Sequence, residues 1–332
     1  MQTKYRNVLV TCPGNALTAG PEALHQLVAD LNRLGQTASI VYFPFDKKFE
    51  TPDPYKKYGA PVGIYKDNNG DLIIFPEIVT TYALKIKNAS AAIWWLSVNN
   101  YTCNRYGNPL RDKFRYFKNF LRGLRPLGGV SALRHLSHFV QSYYALDFLK
   151  SHQISGIPLS DPIPVYTNSS YLKNLPQLLK LRVRENVILY NPKKGGETLA
   201  ALKKSYPKWK FLPLEGFNRE QLAEKFLSSK IYVDFGHHPG KDRLPREAAI
   251  HGCCIITGLL GSAENDYDVN IPRDQKLDQN SKSFILDFGE KVQDIFDNFE
   301  RCADKFSKYQ ETISQEQIAF DQQLKAIFII NS

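Results

Sequence analysis

In the segment 232–258, YVDFGHHPGKDRLPREAAIHGCCIITG, two adjacent histidines, His237 and His238, are followed by Lys241, Arg243 and Glu247. Lysine and arginine donate to phosphate oxygens, and a fixed carboxylate accepts from the paired hydroxyls of a sugar. Backbone N–H groups at a helix start add a further anion site. The set reads as a pocket for a diphosphate and a sugar diol, the two ends of a nucleotide sugar. Lys241, Arg243 and His238 are the expected catalytic groups, stabilising charge on a leaving diphosphate. His237 and Glu247 are expected to bind the donor. The plainer readings are solvated surface cations, a structural loop histidine, and a first-turn acid that stabilises only its own helix.

Such groups need a strand–loop–helix–strand unit to hold them. An apolar run at 230–235 predicts the strand, a helix opens at about residue 245, and 253–257 predicts a buried strand. The start of the chain repeats the theme. Residues 7–12 predict a strand and 11–20 a loop of small residues. A helix follows from Pro21 to about residue 34, stopped by Gly35, with a second strand at 38–43. The first loop is not GxGxxG, which argues against a dinucleotide cofactor. Further strands are expected at 72–75, 91–96, 186–190 and 209–212. Helices are expected within 139–152, at 198–205 and 219–228, and over 313–330.

These residues resemble a known family. The chain looks like a GT-B glycosyltransferase, nearest to the retaining branch that builds bacterial capsules, lipopolysaccharide and other surface glycans. TAGPEALHQLVADLNRLG (18–35) is similar to the family's first loop and helix. LYNPKKG (189–195) is similar to its entry into the donor domain. FGHHPGKDRLPREAAIHGCCIITG (235–258) is similar to its donor segment, where an EA-x-x-x-G run precedes a buried strand. The resemblance implies two Rossmann-like domains facing a central cleft. Residues 1–170 would form an acceptor domain and 171–312 a donor domain, with a terminal helix over 313–332 returning to the first. It implies that Glu247 binds the donor ribose and that Lys194 binds phosphate. Gly14 and Gly20 would let the first loop's backbone approach the ligand. The family's first glutamate position falls at Pro239, so Asp234 or Asp242 stands as a substitute carboxylate. Asn191 stands where an arginine is usual.

Acceptor contacts are expected from Glu22 at the first helix and from Trp95 and Asn99 at a strand end, WWLSVNNY, with a core Trp as the plainer reading. His135 and His138 read as core or surface. No metal site is expected: there is no DxD in a suitable loop, no CxxC, and nothing in the sequence completes a ligand set around the histidines. No cofactor is expected beyond the nucleotide-sugar substrate.

The 332 residues carry a formal net charge of +10, which favours anionic partners. RDKFRYFKNFLRGLR (111–125) sets Phe114, Phe117, Leu121 and Leu124 at helical spacing among cations. That reads either as a helix lying on an anionic membrane or as an ordinary helix whose apolar stripe is core. No nucleic-acid-reading motif is present, and nucleic acid is not an expected partner. Five scattered cysteines and the lack of a signal-peptide pattern point to a reducing cytoplasm, and the membrane reading of 111–125 would add peripheral contact at the inner membrane face. The expected function is metal-independent sugar transfer from a nucleotide sugar to a glycan or lipid-linked acceptor. The alternative is a non-catalytic module of the same fold that binds a nucleotide sugar or glycan within a synthase.

Overall fold

The computed structural model describes residues 2–103, 109–164, 175, 177, 179 and 183–330. Most of the polar stretch 171–185, expected to link the two domains, lies outside the described residues. The chain forms two compact units, 1–161 with 318–332, and 162–317.

In the first unit the two-residue strand β1 (Gln2–Thr3) pairs antiparallel with β12 (Ile329–Ile330). The main sheet is made of β2 (Val8–Pro13), β3 (Ala38–Phe43), β4 (Leu72–Pro76), β5 (Ser90–Trp95), β6 (Ser137–Val140) and β7 (Ile157–Pro158). Among the described residues its order is β3-β2-β4-β5-β6-β7, and every pairing is parallel. Side chains alternate across a strand, so a parallel sheet with both faces covered builds two cores. Val8, Val10, Ile40, Ile74 and Trp94 join one core, with the helix Ala19–Arg33 and with Phe320, Leu324 and Phe328 of the helix Glu316–Phe328. Leu9, Val41, Ile73, Ile93 and Trp95 join the other. The terminal helix thus returns to the first unit, and it is a separate helix from Ser307–Ser314 before it.

The second unit holds β8 (Glu185–Tyr190), β9 (Lys210–Pro213), β10 (Ser229–Asp234) and β11 (Cys254–Thr257) in the order β11-β10-β8-β9, again all parallel. The helix Arg219–Ser228 opens with a capping box, in which the Asn218 and Gln221 side chains each bond the other's backbone N–H. Helices Phe284–Asp297 and Phe299–Asp304 pack onto the same core. In each sheet the first strand in chain order, β2 or β8, has neighbours that lead the chain away in opposite directions. Ligands of such folds bind at the carboxyl ends of strands beside that reversal. All five cysteines are free and buried: Cys12 and Cys103 in the first unit, Cys253, Cys254 and Cys302 in the second.

Candidate active site

The reversal in the second sheet lies between β8 and β10. Lys194 stands in the loop after β8, and the loop 235–242 leaves β10. Gly236 makes their meeting possible: a Cβ there would come within 2.5 Å of the Lys194 Cβ. The Lys194 ammonium pairs with the Asp242 carboxylate and lies 3.9 Å from Asp234. The Asp234 carboxylate also accepts from the Gly236 N–H at 3.0 Å and the Tyr232 hydroxyl at 3.1 Å. Burial alone would raise the Asp234 carboxyl, but Lys194 and His238 outweigh it and hold the group below the usual carboxylate range. Burial likewise opposes charge on Lys194, and Asp242 and Asp234 reverse the sign and raise it.

Asp242 sits at the N-cap of the helix Arg243–Ile250 but makes no cap hydrogen bond. The sequence explains this. A capping side chain takes the N–H of the second or third helical residue, and the third is Pro245, which has none. The carboxylate turns instead to Lys194. The expected helix start at about 245 is therefore two residues late. Glu247 is the helix's fifth residue, beyond the first turn, and the first turn holds no acid. Stabilisation of the helix dipole, which fades within a turn, no longer accounts for Glu247. Glu247 lines a small, open surface pocket with Arg219, Leu222, Ala223, Phe226 and His251.

His238, expected among the catalytic groups, is fully buried. Its Nε2 lies 3.4 Å from Asp234 and its Nδ1 3.4 Å from Asp242. Both of its ring nitrogens face acids of its own chain. Backbone bonds of His238 to Leu260 and Ser262 fasten the loop beneath it. His237 is partly exposed, and burial together with His238 and Lys194 lowers its basicity. Among the described residues, Asp234, His238 and Asp242 form one group whose possible metal-ligand atoms lie within 4.8 Å of one another. The Lys194 ammonium already stands among them, and each ring nitrogen of His238 faces a different carboxylate.

Lys241 has a partner that the sequence reading missed. Its ammonium lies 2.7 Å from Glu316, and the fully buried Arg246 guanidinium donates to the other Glu316 oxygen at 2.7 Å. Arg246 also donates to the carbonyls of Lys241 and Asp242. Burial would raise the Glu316 carboxyl, but Arg246 and Lys241 hold it below the usual range. Neither Arg246 nor Glu316 was legible as a site residue, because they are 70 positions apart. Arg243 is buried at the first helical position.

In the first unit Trp95 is a correction. Expected at an acceptor surface, it is fully buried, and its indole N–H donates to His138 Nδ1 at 3.0 Å. The strand end is central and covered on both faces, so neither adjacent tryptophan reaches water. Trp95→Phe is expected to cost about 1–3 kcal/mol by orphaning the His138 nitrogen, with sugar binding unchanged. Denaturant unfolding checks this; an unmoved midpoint with lost sugar binding would return Trp95 to a surface role. Glu22 is buried, accepts from the Tyr58 hydroxyl at 2.9 Å and pairs with Lys57 at 3.1 Å. Asn99 is buried in the helix Val98–Thr102. Glu77, unmarked by the sequence, follows β4. It accepts from the Leu96 N–H and the Asn100 side chain, and burial raises its carboxyl. Gly14 leaves no room for a side chain, since a Cβ would meet the Phe49 ring at 2.4 Å, whereas at Gly20 a Cβ would rest in ordinary contact with Leu96 at 3.8 Å.

No family model and no curated protein matches the sequence. Solved structures do. The chain is similar to Anabaena HepE in complex with UDP-glucose, at 12% identity and a TM-score of 0.62, covering 96% of this chain and 98% of that one. It is similar to sucrose-phosphate synthase from Thermosynechococcus elongatus, at 11% identity and a TM-score of 0.66, covering 97% and 98%. A glycosyltransferase from Rickettsia africae matches at 13% identity and a TM-score of 0.58, covering 97% and 96%. These likenesses establish the fold, the GT-B architecture of two Rossmann-like domains.

Proposed function

We propose that this chain is a glycosyltransferase. It takes a sugar from a nucleotide-sugar donor and passes it to a hydroxyl of a glycan or lipid-linked acceptor. The bond from the anomeric carbon to the diphosphate oxygen breaks, a bond to the acceptor oxygen forms, and the acceptor proton is released. The observation that carries this reading is the position of Lys194. It lies at the strand-order reversal of the second sheet, beside the helix that bears Glu247. An arriving diphosphate competes with Asp242 for the Lys194 ammonium, and Glu247 accepts from the ribose hydroxyls. Arg243, at the helix start, is the second cation for the diphosphate. Lys241 and Arg246, both held by Glu316, fix the loop. The fold's likeness to structures holding UDP or UDP-glucose makes a uridine nucleotide the first donor to try. The reaction is proposed to need no metal, and the setting to be surface-glycan synthesis in the cytoplasm.

One observation favours the non-catalytic alternative: Lys194 and Lys241 are both neutralised by acids of their own chain. The two readings part on turnover. Melting is measured with UDP, GDP, CMP, dTDP and their sugars, with and without EDTA, and release of nucleotide is followed. A shift with one nucleotide, insensitive to EDTA and accompanied by turnover, supports the transferase. A shift without hydrolysis or transfer supports a nucleotide-sugar-binding module, and no shift with any of them rejects the transferase and leaves the glycan-binding module.

Glu247→Ala is expected to weaken nucleotide binding by about 1.5–3 kcal/mol, the range for a hydrogen bond to a charged group, while the fold melts as before. Calorimetric titration checks this; wild-type affinity would remove Glu247 from the ribose.

A further inference from the structure

The helix Pro109–Leu121 is inside out. A domain helix ordinarily turns its apolar stripe to the core. Here the inward side carries polar residues. Asp112 is buried, the Tyr116 ring packs edge-on against Tyr101 at 6.1 Å, and the Asn119 amide donates to the Cys103 sulfur at 3.2 Å. The apolar residues face out: Leu110 is 81% exposed, Phe114 70%, Phe117 55% and Leu121 68%. Steps of four, three and four residues keep them on one face. Leu127, just beyond the helix, is 83% exposed. Exposed Lys113, Lys118 and Arg122 flank the stripe.

A contiguous apolar patch of this kind on a soluble surface marks an interaction site. Its cations select the occupant. A second copy meeting the same face would set like charges against like. An anionic phospholipid surface satisfies both parts, apolar side chains entering the acyl boundary and cations meeting phosphates. At 13 residues the helix is about 20 Å long, too short to span a bilayer and suited to lying in its plane. No helix among the described residues is long and apolar enough to cross a membrane. We propose that the helix Pro109–Leu121 docks this chain in the plane of an anionic phospholipid bilayer. The inference stands on the first unit alone and does not depend on the sugar-transfer reading.

Flotation of the full chain tests it, with vesicles of phosphatidylglycerol and phosphatidylcholine set against phosphatidylcholine alone. The chain is expected to float with the anionic vesicles, at least tenfold more weakly with the neutral ones, and more weakly again in 1 M salt. The variant F114S/F117S/L121S changes only exposed positions, so it is expected to melt like the wild type and to lose at least tenfold in vesicle partitioning. K113Q/K118Q/R122Q is expected to abolish the preference for anionic lipid. A wild-type chain that does not float, or an apolar-stripe variant that floats as well as the wild type, overturns the proposal. So does a size-exclusion dimer lost in the same variant without any flotation, which would make the face an interface between copies.

Discussion

Lys194→Met is expected to lower the rate of sugar transfer roughly 100- to 1,000-fold, the effect of removing one preorganised donor from a developing negative charge. The fold also loses stability, because Asp234 is buried and Lys194 is its nearest cation with a permanent charge. Breaking a buried pair costs about 3–5 kcal/mol. With 23% of the Lys194 side chain in water, about 2–3 kcal/mol is the better expectation. The pH dependence identifies the source. The Asp234 carboxyl is lowered on folding, so its contribution is present above the unfolded value near pH 4 and is lost as the pH falls. The Lys194 ammonium is raised, so its contribution is complete below about pH 10 and is lost as the pH rises through the folded value. The stability gap between wild type and variant should be flat from about pH 5 to pH 9 and narrow at both ends. Denaturant titrations at pH 3, 7 and 10.5 measure it; a gap as wide at pH 3 as at pH 7 would assign the loss to packing.

Glu316→Ala is expected to be the more damaging change to the fold. It strands Arg246, which is 1% exposed, and leaves Lys241 without its acid. The expected loss is about 3–5 kcal/mol, or roughly 6–20 °C in melting temperature for a unit of this size. Because the Glu316 carboxyl is held below its usual range, the contribution is present above the unfolded value near pH 4.3 and disappears as the pH falls. The double variant R246M/E316L removes both charges and should recover most of the loss. If the single variant costs under about 1 kcal/mol, Glu316 is not the buried acid described above. If the double variant melts no higher than the single one, the loop carbonyls of Lys241 and Asp242 depend on Arg246 itself.

The parts of this molecule that sequence alone conveys are those set by short range. Period and propensity placed Ala38–Phe43 and Arg219–Ser228 to the residue, since a short apolar, strand-prone run and a run bounded by its own cap need no distant partner. The concentration of chemistry after β10 was legible for the same reason, as charged residues in a loop between two apolar runs. What failed depended on the third dimension. Trp95 looked accessible because it ends a strand, but a sheet covered on both faces buries both of its neighbouring tryptophans. The basic helix 109–121 left two readings open, and only the tertiary contacts of Asp112, Tyr116 and Asn119 show which face is turned out. Glu316 could not be matched to Arg246 across 70 positions. One missed detail was local. Pro245 at the third helical position denies Asp242 a cap, and that pairing is readable from the sequence.

The buried thiols have a use of their own. Burial pushes the Cys253 thiol up to about 12, and Cys12 and Cys254 are pushed up further still. Alkylation needs both a thiolate and access, so in the closed protein these sulfurs are silent. A labelling reagent then counts opening events and reports where they occur. Cys12 and Cys103 report on the first unit, and Cys253, Cys254 and Cys302 on the second. Loss of the Lys194 pairs should quicken modification of the three more than of the two, so mass spectrometry of a single sample reads opening in each half of the chain.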